Sequence, residues 1–262
     1  MFSRHPLARR RRPRHTMLSR LFCTLFCILL LVASGSVTSS AAGEENQKVF
    51  GFNGPLVSRW LTSVSWPSPW EYQKAGLGGD VRITVEADPQ DPHQRVLRLR
   101  ATRASFVLYQ DLRSRPFAAD RYPLLSWRWK ALTLPRGGNA NYDSTNDQVL
   151  QVYLAFRRSD GYDVIGYVWD NPAREGDKDV IHRTYNSLIF GRVELYTLVL
   201  RRGTADEWLT ESRNVTEDHD RYFKNSRPLV VAIGIWCDSD HTSSVAEGLI
   251  GPLIFSESTA KP

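Results

Sequence analysis

Cysteine is nearly missing from this 262-residue chain: there are three, and two of them, Cys23 and Cys27, sit inside a hydrophobic N-terminal run. Only Cys237 lies beyond it, and one thiol cannot close an internal disulfide, so no disulfide framework staples the domain. Acidic residues are missing from the first 42 positions, which carry seven arginines. No apolar run approaches the ~20 residues that a membrane-spanning helix needs. No stretch shows three clean turns of helical periodicity, which excludes a helical bundle. Gly-x-Ser-x-Gly, His-x-x-x-His and the twelve-residue EF-hand pattern are all absent, and the strands carry no close-set Glu-x-Asp-x-Glu motif. These absences remove the common hydrolase elbow, the helical zinc site and the standard calcium loop.

What stands at the N-terminus is a leader in three parts. Residues 1–20 are Arg-rich, residues 21–32 are almost wholly apolar, and residues 33–42 are small and polar and end in Ser40-Ala41-Ala42. That order is the pattern of a cleaved signal peptide, with an uncleaved anchor as the alternative. The pattern is already complete from Met17, so Met1 and Met17 are both candidate starts. The whole chain carries +6, but removing the seven leader arginines leaves 27 basic against 28 acidic residues. The basic excess belongs to the leader, and nucleic acid is not an expected partner. A secreted or periplasmic protein without a stable membrane anchor is expected.

Residues 43–262 read as one all-β domain. Alternating or β-branched runs occur at 81–85, 96–100, 106–112, 124–130, 148–156, 163–169, 192–200, 229–237 and 249–255, with turn residues between them. Nine or so strands with long connections predict an antiparallel two-layer β-sandwich of jelly-roll, galactose-binding-like type, with a few short helices in loops. Residues 124–130 place Leu125, Trp127 and Trp129 on one face, assigned to the core, and Ser126, Arg128 and Lys130 on the other. Asn214 is a natural N-cap with Glu217 at the third position after it, which predicts a short helix there. Trp66 and Trp70, with Pro67 and Pro69 holding the path between them extended, could line a cleft but are expected to cover a sandwich edge. Two long loops, 135–147 and 170–187, are where a ligand is sought first.

Five spaced blocks resemble one family. Tyr122-Pro123-Leu124-Leu125-Ser126-Trp127-Arg128-Trp129 is similar to its central signature, and residues 147–156 and Tyr167-Val168-Trp169 to its next two strands. Arg213-Asn214-Val215 with Glu217-Asp218, then Asp238-Ser239-Asp240-His241-Thr242 with Ala246, resemble its C-terminal blocks. The chain is thus similar, over about 50–255, to the bacterial exported family called domain of unknown function 3047. The resemblance implies a jelly-roll sandwich similar to carbohydrate-binding modules and assigns no catalytic residues. Where the family places Gly-Asp near the start of its last strand, this chain has Gly251-Pro252. If that Asp is a calcium ligand in relatives, one ligand is missing here.

The residues themselves suggest two sites. Asp238 and Asp240, two apart at a strand end, can meet a hard cation such as Ca²⁺, or can simply cap a turn. Trp236, Tyr167 and Trp169 are read as lining a groove, because Trp236 alternates away from Ile233, Ile235 and Cys237 and shares a shallow face with the small Ala232 and Gly234. Asp147, Gln151 and Arg128 would add polar contacts. Arg128 and Arg157 could each take the carboxylate of an acidic sugar in a bidentate pair. The expected function is a non-catalytic secreted or periplasmic ligand-binding domain, with a glycan as the ligand. The alternatives are a carbohydrate-active hydrolase or lyase using Asp147 and Asp238, and an envelope scaffold that binds protein.

Overall fold

The computed structural model describes residues 46–59, 62–75, 78–187, 191–204, 207–224 and 228–257. The predicted leader, 1–42, lies outside them. Among the described residues no helix is long and apolar enough to cross a membrane.

Two sheets face one another. The first is built from β1 (Gln47–Phe50), β17 (Leu253–Ser256), β9 (Leu124–Thr133), β16 (Val245–Ile250), β6 (Arg95–Thr102) and β5 (Asp80–Ala87) in that order, with β14 (Leu209–Asn214) also paired to β9. The second runs β12 (Val180–Ser187), β13 (Gly191–Arg202), β11 (Gly161–Asp170), β10 (Leu150–Arg158), β15 (Leu229–Asp238), β7 (Ser105–Asp111) and β4 (Glu71–Ala75), with β8 (Phe117–Ala118) beside β15. A separate hairpin joins β2 (Leu56–Ser58) to β3 (Ser65–Pro67). This is the jelly-roll sandwich. Pairing is antiparallel except where β13 inserts between β11 and β12, which makes the β11–β13 pair parallel.

The core lies between the sheets. The first contributes Leu97, Leu99, Leu125, Trp127, Trp129 and Phe255; the second contributes Phe106, Leu150, Val152, Phe156, Ile165 and Ile235. Alternation along β9 therefore reads as predicted, and Trp127 and Trp129 pack edge to face at 5.2 Å. The layers meet tightly at Gly248, where an added Cβ would stand 2.7 Å from Leu150 Cδ1. Trp66 and Trp70 are core residues rather than an edge cover, with Trp66 stacked on Tyr72.

Three departures from the sequence reading have plain causes. The predicted strand at 249–255 is two strands, because Pro252 has no N–H for a ladder. The second half of the 170–187 loop is the edge strand β12, whose polar residues alternate toward solvent. The central strands of the second sheet are buried on both faces: its outer side carries Val107, Tyr109, Val164, Val193 and Trp236 as a second apolar cluster. The short helix forms where expected, as α1 (Val215–Tyr222). Asn214 caps it by accepting hydrogen bonds from the N–H groups of Thr216 and Glu217, each at 3.2 Å.

Candidate functional site

The six residues predicted to bind ligand do not converge. Tyr167 and Trp169 point into the core with Ile165, at 0% and 1% exposure, so neither lines a groove. The Tyr167 hydroxyl donates to the Asp218 carboxylate at 2.8 Å, and Trp169 Nε1 donates to the Gly203 carbonyl. Trp236 does lie on the outer face of the second sheet, but it is 4% exposed and its Nε1 donates to Ser105 Oγ at 2.7 Å. Tyr153, the ladder partner of Gly234, lies against Gly166, and its ring stands 6.0 Å from that of Trp236. Gln151 is buried and accepts from the Tyr153 hydroxyl. Arg128 is on the outer face of the opposite sheet, where it bonds to Asp88 and Gln90 and covers the Trp208 ring.

Asp147 is drawn elsewhere, to the predicted metal pair. The register Gln151↔Trp236 sets the start of β10 against the end of β15, so Asp147 and Asp238 meet although 91 residues separate them in sequence. Asp147 accepts from the His241 N–H at 3.1 Å, the Thr242 N–H at 2.7 Å and the Thr242 hydroxyl. Burial opposes its charge, but the bonds from His241 and Thr242 outweigh that and hold its carboxyl below the usual range. Asp238 is the opposite case. It is fully buried, and desolvation, then Asp147, then Asp240, push its carboxyl far above the usual range. Asp147, Asp238, Asp240 and His241 each bring a donor atom into one group within 4.8 Å of one another. The two long loops close over this end of the sheet: Asn139 Nδ2 donates to Asp177 at 2.7 Å, and Asn171 Nδ2 to the Pro135 carbonyl at 2.8 Å. Gly251-Pro252 lies at the far end of β16, six residues or about 20 Å away, and has no bearing on this group.

At the other end of the second sheet is a cavity of about 670 Å³. Its floor comes from registers that the sequence did not disclose. His182 sits opposite Tyr196, and Thr184 and Asp163 flank Glu194. The rings of His182, Tyr196 and Tyr222 form one stack, with centroids 4.3 and 4.6 Å apart and planes 17° and 21° apart. The third ring is supplied by α1, whose cap fixes where the helix starts. Glu194 accepts from His182 Nε2 at 2.7 Å and Thr184 Oγ1 at 2.8 Å, and pairs with Arg192. Burial opposes its charge, but those donors hold its carboxyl below the ordinary glutamate range. Arg157, Arg158, Arg192 and Lys224 line the cavity against two carboxylates, Asp163 and Glu194. The sequence offers Arg157, Tyr196 among the strand aromatics and Glu194 among the candidate acids, but does not bring them together.

An all-β sandwich with a cationic, ring-floored cavity at one end and a carboxylate–histidine group at the other defines the architectural class. The chain belongs to the family described as protein of unknown function (DUF3047), whose model matches residues 82–254. No curated protein matches the sequence. Among solved structures, a family 11 xylanase from Neocallimastix patriciarum is 14% identical over 81% of this chain and 96% of its own, with a TM-score of 0.41. An engineered ENZbleach xylanase is 12% identical over 85% and 90%, with a TM-score of 0.46. The endoglucanase cel12A of Rhodothermus marinus is 9% identical over 71% and 99%, with a TM-score of 0.36. Similarity at this level bears on neither substrate nor activity.

Proposed function

We propose that this protein is an exported, non-catalytic binding module for an acidic glycan, held in the cavity between β10–β13 and α1. The observation that carries the reading is the ring stack His182–Tyr196–Tyr222 beside four cationic side chains in one cavity. A cavity of this volume is in the range that small ligands fill. Aromatic rings offer flat apolar faces to the C–H faces of a sugar, and guanidinium groups take carboxylates in bidentate pairs. The cationic excess favours a ligand with carboxylates, such as a uronic-acid oligomer, over a neutral one. Export rests on the leader read over 1–42.

One observation favours a hydrolase: Asp163 and Glu194 are register partners in this cavity, and glycosidases work with paired carboxylates. A general acid needs a raised pKa, however, and Glu194 is held ionised by three donors. The pair read from sequence, Asp147 and Asp238, is wholly buried and has no face toward a glycosidic oxygen.

Titration calorimetry of the purified protein with oligogalacturonate, and with a neutral oligosaccharide of equal length, tests this reading. Binding of the acidic oligomer, weakened about threefold to fivefold by Lys224→Ala, is expected. Equal affinity for the neutral oligomer, or no heat with either, refutes it.

A further inference from the structure

We infer that Asp147, Asp238, Asp240 and His241 form a binding site for one divalent metal ion. Cations of this class hold oxygen donors at about 2.1–2.6 Å, so donors on opposite sides of one ion stand about 4.2–5.2 Å apart. The four donor atoms here lie within 4.8 Å of one another, inside the span that a single ion bridges.

A second observation points to a ligand and is independent of the clustering. Asp238 Oδ2 is completely buried and has no hydrogen-bond partner among the described residues. Its other oxygen accepts from the Asp240 N–H at a long 3.5 Å. A buried carboxylate oxygen without a donor is costly; Asp147 and Asp240 cannot donate to it when ionised, and His241 is directed to those two aspartates instead. A metal ion supplies the missing partner. The other donors are positioned rather than loose: Asp147 is fixed by Thr242, and His241 Nδ1 stands 2.9 Å from Asp240 Oδ1. Asp240 and His241 are part-exposed, at 32% and 16% of their side chains, which leaves an entry path.

The donor set is three carboxylates and one imidazole. Carboxylates suit calcium, magnesium and manganese, while an imidazole adds affinity for transition metals, so manganese satisfies both. Bound metal would tie three segments together: the end of the 135–147 loop, the last residue of β15 and the turn before β16. That is a structural site, at the opposite end of the sheet from the proposed glycan cavity, and it stands or falls separately.

The test is metal content and thermal unfolding of the purified protein, stripped with chelator and then titrated with Mn²⁺, Ca²⁺, Mg²⁺ or Zn²⁺. One ion per chain, with a rise in Tm of several degrees, is expected. Asp240→Asn, at the exposed side of the group, should fold normally and lose at least tenfold in metal affinity. In the Mn²⁺-loaded protein, a nitrogen coupling in the electron-spin spectrum should be lost in His241→Gln. No retained ion and no Tm change with any of the four metals overturns the proposal. So does an Asp240→Asn variant that binds as tightly as wild type.

Discussion

Replacing Tyr167 by Phe removes one oxygen and leaves the ring in place against Trp127, with centroids 5.5 Å apart. The hydroxyl it deletes donates to Asp218 Oδ2 at 2.8 Å, inside a group that ties α1 to the second sheet. Arg213 Nε also donates to that oxygen, at 2.9 Å, so the Asp218 charge stays neutralised but loses one of its donors. Both partners are buried, Tyr167 at 0% and Asp218 at 3% exposure, so water cannot replace the lost donor without opening the core. A hydrogen bond to a buried charge contributes about 2 kcal/mol. In a domain of this size that corresponds to a Tm lowered by about 4–8 °C. Urea unfolding of wild type, Tyr167→Phe, Asp218→Asn and the double variant gives the coupling between the two residues directly, expected at about 1–2 kcal/mol. A single-variant loss below about 0.5 kcal/mol, or additive single losses, would show that the bond contributes nothing and would refute this reasoning. The groove reading of Tyr167 makes the contrary prediction, with stability unchanged.

Other substitutions follow from the same geometry. Gly248→Ala drives a Cβ to within 2.7 Å of Leu150 Cδ1 and 3.1 Å of the Lys130 carbonyl oxygen, and should lower stability by about 1–3 kcal/mol in urea unfolding. Asn214→Ala removes the α1 cap at a cost of about 1 kcal/mol, and Asn214→Ser should restore most of it. Burial opposes the charge of Glu247, but bonds from Arg98 at 2.7 Å and Arg100 at 2.6 Å outweigh it and hold its carboxyl below the ordinary value of 4.5. A lowered folded-state pKa contributes stability above the unfolded value and loses it as pH falls through the folded one. The stability difference between wild type and Glu247→Gln should therefore be constant above about pH 5 and shrink below the ordinary glutamate value, as followed by chemical unfolding at stepped pH. A difference that grows as pH falls would contradict the assignment.

The sandwich was legible because most strands of the first sheet bury one face, and period-two alternation is then written into the residues, as along β9. The cap at Asn214 was legible because it is a local device needing only four consecutive positions. Reading failed where burial is two-sided. Every residue of β15 after Leu229 is buried, so alternation places Trp236 on the outer face but cannot show that this face is itself packed. Tyr167 and Trp169, on β11, failed for the same reason. The carboxylate–histidine group was half legible: Asp238 and Asp240 share a turn, but Asp147 joins them only through the β10–β15 register. The cavity was barely legible at all, because His182, Tyr196 and Tyr222 come from β12, β13 and α1, and their stacking follows from the inserted position of β13.

The location of the bound ligand is the most direct test of the glycan-binding proposal. NMR spectra of the protein labelled at His and Tyr side chains, titrated with oligogalacturonate, should show the largest shifts at His182, Tyr196 and Tyr222, with Tyr153 and Tyr167 unmoved. Shifts confined to Tyr109 and Tyr153, on the outer face of the second sheet around Trp236, would place the ligand elsewhere and contradict the assignment of the cavity.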